Sequence, residues 1–191
     1  MVSALQAALS WPARVYSTLR ANVDVFAIDP RFEPTSPPMR ANRRVLLPLT
    51  YLVAIGLLLF ALSRVVDIVS GLQALNLSVW AVIPLVFACG AVLIVLHELC
   101  HYFANRALGV PVRFCLVPLY GAVNPAVTFA PNQPGWKVAA SSLAPQVLTL
   151  MLLIVGVASG QPMAIAYAAV NLFASVHDFC VTAAAHRAPT A

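Results

Sequence analysis

The chain has 191 residues, of which 61% are hydrophobic and only 9% are charged, and its mean hydropathy is +0.88. A soluble globular domain carries roughly 25% charged residues, so this composition excludes that class and indicates a membrane protein. The net charge of +5 needs no nucleic-acid partner, and we predict none, because basic residues beside a membrane attract anionic lipids.

Residues 1–44 form a predicted cytoplasmic segment in two parts. Apolar side chains recur at helical spacing over residues 5–23, among Arg14 and Arg20, which predicts a helix lying on the membrane surface. The proline-rich stretch DPRFEPTSPPMR follows, and we expect it to be an extended linker. The start of the chain lacks the basic residues of a secretory signal, so we expect no cleavable leader.

Four apolar blocks approach or exceed the roughly 20 residues that a helix needs to cross a bilayer. They lie near residues 45–62, 79–104, 137–159 and 162–184. The tight turn between the last two blocks predicts that they form an antiparallel hairpin. The sequence therefore predicts an all-α membrane protein with four transmembrane helices.

The basic residues predict the orientation of these helices. With a cytoplasmic N-terminus, four spans place every lysine and arginine except Arg64 on the cytoplasmic side. This is a strong positive-inside bias. We therefore expect an integral protein of the cell's inner or plasma membrane, with both termini in the cytoplasm and residues 185–191 as a short cytoplasmic tail.

The connector between the second and third spans, residues 110–133, contains two runs of β-branched and aromatic residues around the sequence PLYG. This pattern predicts a short β-hairpin-like connector on the cytoplasmic side. Irregular backbone exposed to lipid is strongly unfavourable, so the hairpin should be covered by protein or lie at the interface.

His97, Glu98 and His101 form the pattern H-E-x-x-H near the end of the second span. Residues four apart share one face of a helix, so the two imidazoles can bind one metal ion while Glu98 points toward a water beside it. A charged side chain in the bilayer costs roughly 2.5–3.5 kcal/mol and persists mainly where it has a partner and a task. We interpret the pattern as part of a zinc site. The alternative is a pair of core histidines with an ion-paired glutamate.

A catalytic zinc site needs a third protein ligand and an open position for water. Asp178 is the other acid in the apolar spans, and counting about 1.5 Å per residue from the predicted helix ends places it at the depth of His97. His177 is the competing ligand, but it points about 100° away from Asp178 around the helix. We favour Asp178, with His177 as an alternative ligand or a hydrogen-bond partner of the site.

Asn171 lies seven residues before Asp178, two turns away on a continuous helix, and is therefore expected on the same face. An amide there could bind the substrate backbone or donate to a developing oxyanion. An interhelical hydrogen bond is an equally supported alternative.

The motifs HELCH in the second span and NLFASVHD in the last resemble those of membrane-embedded zinc peptidases of the site-2 protease kind. The likeness is greatest to a smaller group, the DUF3267 family of zincin peptidases, and covers most of residues 45–184. It includes the pair Ala144 and Pro145 in the third span. Ala174 and Phe179 stand where the larger family has proline and glycine, which favours the smaller group.

The resemblance implies one zinc ion held by His97, His101 and Asp178, with Glu98 as the catalytic base. It also implies a zinc-dependent intramembrane protease that hydrolyses membrane-embedded protein substrates near the cytoplasmic face. Its expected partners are a transmembrane substrate and the lipid bilayer, and the sequence predicts no oligomeric state. The alternative is a non-catalytic metal-binding adaptor or metal-handling membrane protein, which needs the ligands but not Glu98.

Overall fold

The computed structural model describes residues 30–32, 36–74, 78–119 and 122–187. The predicted surface helix over residues 5–23 therefore lies outside the described residues. After a 3-10 turn, the elements are α1 (Pro37–Ser63), α2 (Val65–Ala74), α3 (Val79–Ala107), β1 (Val112–Leu119), β2 (Ala122–Phe129), α4 (Gly135–Leu143), α5 (Gln146–Ala158), α6 (Pro162–Ala174) and α7 (Val176–Arg187).

Three helices in the described part of the chain are long and apolar enough to cross a membrane. They are α1, the stretch Trp80–Ala107 of α3, and the run Gly135–Ala158 that α4 and α5 form together. Large apolar side chains stand out from these helices; Trp80, for example, is 83% exposed. Such surfaces suit contact with lipid rather than water. The structure thus supports the prediction of a membrane protein.

The last predicted span is broken. Helices α6 and α7 reach spanning length only together, and their axes differ by 50°. The break falls at Ser175, whose amide donates to the carbonyls of both Asn171 and Leu172. The prediction of one continuous helix over residues 162–184 is therefore wrong, because the backbone changes direction at Ser175. The pair is a broken span or a re-entrant loop.

The prediction of an extended linker is wrong for residues 37–40, which form the first turn of α1. Pro37 and Pro38 occupy the first helical positions, where an N–H group would have no partner within the helix. Ser36 precedes them in an extended conformation, as N-cap residues do. Helix α1 is 27 residues long as a result, and its first turns carry three arginines beyond the predicted span.

The predicted β-hairpin is present. Strands β1 and β2 pair antiparallel, from Val112 opposite Phe129 to Leu119 opposite Ala122. Residues 120–121, at the predicted turn, lie outside the described residues. The runs of β-branched and aromatic residues were therefore a sufficient signal for these strands.

Contacts with α3 position the hairpin, and α4 binds the end of α3 from which the hairpin starts. Gly109 follows α3 with a φ of +68°, the left-handed conformation that commonly ends helices, and turns the chain toward β1. The ring of Tyr102 in α3 stacks on Phe114 of β1, with centroids 5.0 Å apart. Lys137 of α4 donates to the carbonyl of Leu108 at 2.8 Å. The hairpin consequently lies against the C-terminal half of α3.

The helices pack in pairs around this arrangement. Helix α1 lies along α6 and α7, α4 packs on α7, and α5 packs on α6, as the predicted hairpin of the last two spans requires. Gly156 permits the α5–α6 contact, because a Cβ atom there would lie 2.5 Å from the Ile165 side chain. The buried core where α1, α4 and α7 meet consists of Phe32, Met39, Val138, Ala139, Cys180, Val181, Ala184 and Ala185.

Candidate metal centre

Three side chains from α3 and α7 converge. Nε2 of His97 lies 3.2 Å from Oδ2 of Asp178, and Nε2 of His101 lies 3.3 Å from Oδ1 of the same carboxylate. None of the three side chains is more than 13% exposed. The structure therefore brings together the three residues that the sequence selected as metal ligands.

The contacts with the two imidazoles distinguish Asp178 from His177, the alternative third ligand. Within the described ranges, the group of donor atoms lying within 4.8 Å of one another comes from His97, Glu98 and His101, and it includes neither His177 nor Asp178. The carboxylate that contacts both imidazoles belongs to Asp178. Asp178 lies in the first turn of α7, which begins at Val176 after the bend.

The proton position of His101 follows from its hydrogen bond. Nδ1 of His101 lies 2.9 Å from the backbone carbonyl of Ser141. A carbonyl oxygen only accepts, so Nδ1 carries the proton and Nε2 of the neutral ring carries the lone pair. The Ser141 carbonyl receives no helical bond from Pro145, four residues later, which has no N–H group; besides His101 it accepts the Ala144 amide at 3.2 Å.

Asn171 fixes His97 in the same way. Nδ1 of His97 lies 2.9 Å from Oδ1 of Asn171. The amide nitrogen of Asn171 donates to the Pro145 carbonyl at 3.1 Å and to the Thr149 hydroxyl at 2.7 Å. This nitrogen must face away from His97, so the amide oxygen accepts and Nδ1 of His97 donates. Both imidazoles consequently present a lone pair on Nε2 to Asp178.

Asn171 thus makes the interhelical hydrogen bonds that were one of its two predicted roles. Its side chain is only 1% exposed, and it supports His97 from behind. Asn171 and Asp178 bind opposite nitrogens of His97, on either side of the bend at Ser175. A contact between Asn171 and substrate stays a prediction.

The cluster fits a zinc ion. Two nitrogen lone pairs facing a carboxylate repel it unless a cation or a proton lies between them. Oδ2 of Asp178 is buried and, although 3.2 Å from His97, accepts no well-aligned hydrogen bond from any described residue. The separations of 3.2 and 3.3 Å join the imidazoles to different oxygens of the carboxylate, and each is close to the roughly 3.3 Å between two ligand atoms that lie about 2.0 Å from one tetrahedral zinc. Two imidazoles and one carboxylate also form a donor set of catalytic zinc sites.

Glu98 lies beside the imidazoles and is held by the hairpin. Its Oε2 accepts a hydrogen bond of 2.8 Å from the backbone N–H of Val127 in β2. The Ala130 amide donates to Pro111 across the hairpin, and amide directions alternate along a strand, so the Val127 N–H points away from β1. The outer edge of β2 therefore faces the Glu98 carboxylate.

Sequence reasoning missed three contributors to this site. Ser141 and Thr149 support the histidines, and Val127 holds Glu98. A proline inside an apolar span was a usable signal for Ser141, because it frees the carbonyl four residues earlier. The other two contacts depend on how α5 and the hairpin pack, and the sequence carries no local signal for them.

Fold and site together define a candidate metallopeptidase centre set among apolar helices. The family model DUF3267, described as "Putative zincin peptidase", matches residues 90–191, just over half of the chain. The chain belongs to this family, which supports metallopeptidase activity and implies zinc as the metal. No curated protein matches the chain, and neither does any solved structure. The site-2 protease subtype stays a prediction.

Proposed function

We propose that the protein is a zinc-dependent intramembrane protease that cleaves membrane-embedded protein substrates near the cytoplasmic face. The proposal rests on the convergence of Asp178 with Nε2 of His97 and of His101, beside Glu98, among helices that are apolar enough to cross a membrane. Family membership supports the peptidase chemistry.

His97, His101 and Asp178 would hold the zinc ion. Bound zinc would act as a Lewis acid that polarises the scissile carbonyl and activates water near neutral pH. Glu98 takes a proton from the attacking water and then delivers it to the leaving amine. The peptide C–N bond breaks, a C–O bond forms, and the water proton ends on the amine, so Glu98 is regenerated. The hydrogen bond from Val127 orients this carboxylate.

The hairpin offers a place for the substrate backbone. The carbonyls of a membrane-spanning helix are occupied by its own hydrogen bonds, so a substrate must unwind locally before it can be cleaved. Adding the unwound segment as a strand to an exposed sheet edge replaces these bonds. The outer edge of β2 faces Glu98 through Val127. We therefore propose that an extended substrate segment pairs along this edge.

A proline at position 127 tests the role of the strand amide. Val127→Pro removes the N–H group that donates to Glu98. The same edge of β2 already contains a proline, Pro125, which has no N–H group. We expect cleavage to slow by about 10- to 100-fold, since a hydrogen bond to a charged group contributes about 1.5–3 kcal/mol, while zinc content is retained. The control Val127→Ala keeps the N–H and should cleave at close to the wild-type rate. Equal losses in both variants would assign the effect to the side chain instead.

The proposed location is the cell's inner or plasma membrane, with both termini and the active site toward the cytoplasm. Ten of the eleven lysine and arginine residues favour this orientation under the four-span arrangement. The three arginines in the first turns of α1 extend the basic surface at that end. Labelling single cysteines placed at Arg40 and Arg64 with a membrane-impermeant reagent tests the orientation, because only the second should react in intact cells.

The function is tested with the purified full-length protein in lipid vesicles, a panel of transmembrane peptides and a matched panel of soluble peptides. We expect zinc-dependent cleavage within the transmembrane segments, lost on adding a chelator and restored by zinc. Zinc binding without cleavage of any segment would favour the metal-binding adaptor or metal-handling protein. Cleavage of soluble peptides alone would favour a metallopeptidase that acts outside the bilayer.

A further inference from the structure

The hydrogen-bond chain behind His97 continues beyond Asn171. The Thr149 hydroxyl accepts a bond of 2.7 Å from the Asn171 amide and donates one of 3.2 Å to Oε1 of Gln146. Thr149 is 5% exposed and lies on α5, while Asn171 lies on α6 and His97 on α3. The chain therefore links three helices and ends on a nitrogen of the metal site.

We propose that Thr149 is a positioning residue that sets the tautomer of His97 by fixing the orientation of the Asn171 amide. This inference rests on the proposed zinc site. An asparagine amide can take two orientations of nearly identical shape, which exchange its oxygen and nitrogen. In the exchanged orientation Asn171 donates to Nδ1 of His97. The ring proton must then lie on Nε2, where it occupies the lone pair that faces Asp178.

The Thr149 hydroxyl opposes that exchange. A hydroxyl can donate or accept, and its single proton decides which. Because this proton is directed to Gln146, Thr149 presents a lone pair to Asn171 and binds only the nitrogen end of the amide. The Pro145 carbonyl presents a second acceptor to the same nitrogen. In the exchanged orientation, the Asn171 oxygen would face the Thr149 lone pair and the Pro145 carbonyl. Neither of these could donate a hydrogen bond to it.

Gln146 completes the chain. Its Oε1 accepts the Thr149 proton, and its buried Nε2 makes no hydrogen bond with the described residues. Among the described residues, the Gln146 side chain is therefore hydrogen-bonded through its contact with Thr149. Gln146 directs the hydroxyl, Thr149 directs the amide, and the amide directs the imidazole.

Zinc affinity tests the proposal without any need for a peptide substrate. Thr149→Val keeps the shape of the side chain and removes the hydroxyl. We expect zinc to bind about 10-fold more weakly, the lower end of the effect of removing groups that support metal ligands, and Thr149→Ser to restore affinity to within about 3-fold of wild type. Thr182→Val is the matched control, because the Thr182 hydroxyl is also buried but has no hydrogen-bond partner among the described residues. It should bind zinc like the wild type.

A double-mutant cycle with Asn171→Ala distinguishes positioning from a general loss of packing. If Thr149 acts through Asn171, then Thr149→Val causes no further loss of zinc affinity in the Asn171→Ala background. Additive losses would overturn the proposal. Gln146→Leu gives a second variant should Thr149→Val not fold, with an expected loss of about 3-fold. Wild-type affinity in both Thr149→Val and Gln146→Leu would also overturn it.

The outcome separates this inference from the proposed function. A wild-type protein that binds zinc but cleaves no peptide leaves the positioning role of Thr149 intact while refuting the protease. Wild-type protein that binds no zinc under any condition overturns both. Zinc binding and cleavage in the wild type, with no effect of Thr149→Val on affinity, overturns the inference alone.

Discussion

Replacing Glu98 with glutamine should abolish peptide hydrolysis and leave zinc binding at the wild-type level. Glutamine has the shape of glutamate, and its side-chain oxygen can still accept the Val127 hydrogen bond seen at 2.8 Å. The amide cannot take a proton from water at neutral pH, so the base of the reaction is lost. General acid–base catalysis contributes typically 10²–10⁴-fold, and we expect the rate to fall by about that factor. Cleavage rate and zinc content should be measured on the same preparation.

Asp67→Asn is a matched control for this experiment. It is an equally conservative change of a carboxylate to an amide, made in the exposed pair between Arg64 and Asp67, outside the site. An exposed ion pair stabilises a protein by about 1 kcal/mol at most, so this variant should cleave normally. If Glu98→Gln retains both zinc and proteolysis, Glu98 is not the catalytic base.

Asp178→Ala should remove the zinc ion, whereas His177→Ala should retain it. The carboxylate of Asp178 contacts Nε2 of His97 and of His101 at 3.2 and 3.3 Å. Without this carboxylate only two imidazoles remain as ligands, whereas structural and catalytic zinc sites have at least three protein ligands. We expect an affinity loss greater than the roughly 10- to 100-fold caused by losing a group that only supports a ligand. Chelator competition on the purified proteins measures it.

The pair of neighbouring substitutions is informative because His177 and Asp178 differ by one position on the same helix turn. Each change should disturb the packing of α7 to a similar degree, so a difference in zinc affinity reports on ligation. Loss of zinc in His177→Ala with full binding in Asp178→Ala would make His177 the third ligand. His97→Ala should match Asp178→Ala; loss of zinc in the histidine variant alone would refute the ligand set.

Much of this arrangement was accessible from local sequence. The two histidines share one helix face because they are four residues apart, a relation that helix geometry imposes. The strands were predicted from their residue types. The meeting of Asp178 with His97 followed from counting residues along two spans that cross the same apolar layer. These predictions succeeded because each depends on spacing or composition within one segment.

Other features depended on contacts between segments. The first turn of α1 was predicted as part of a proline-rich linker, yet Pro37 and Pro38 are compatible with a helix start. The break at Ser175 lies within residues 163–184, which carry no proline or glycine. On either side of this break, Asn171 and Asp178 contact opposite nitrogens of the His97 imidazole. A straight helix with both residues on the same face does not predict this arrangement.

The sequence by itself determined that the chain is a membrane protein, which residues form the His-Glu-His pattern, and that an acid lies at their depth. Helix periodicity, hydropathy and residue counts are properties of one segment at a time. Only the tertiary structure showed that the Asp178 carboxylate contacts both histidines, that Ser141 and Asn171 bind their Nδ1 atoms, and that a strand amide holds Glu98. Those contacts form only when α4, α5, the hairpin and the bent α6–α7 pair pack against α3, because hydrogen-bond partners far apart in sequence are selected by packing.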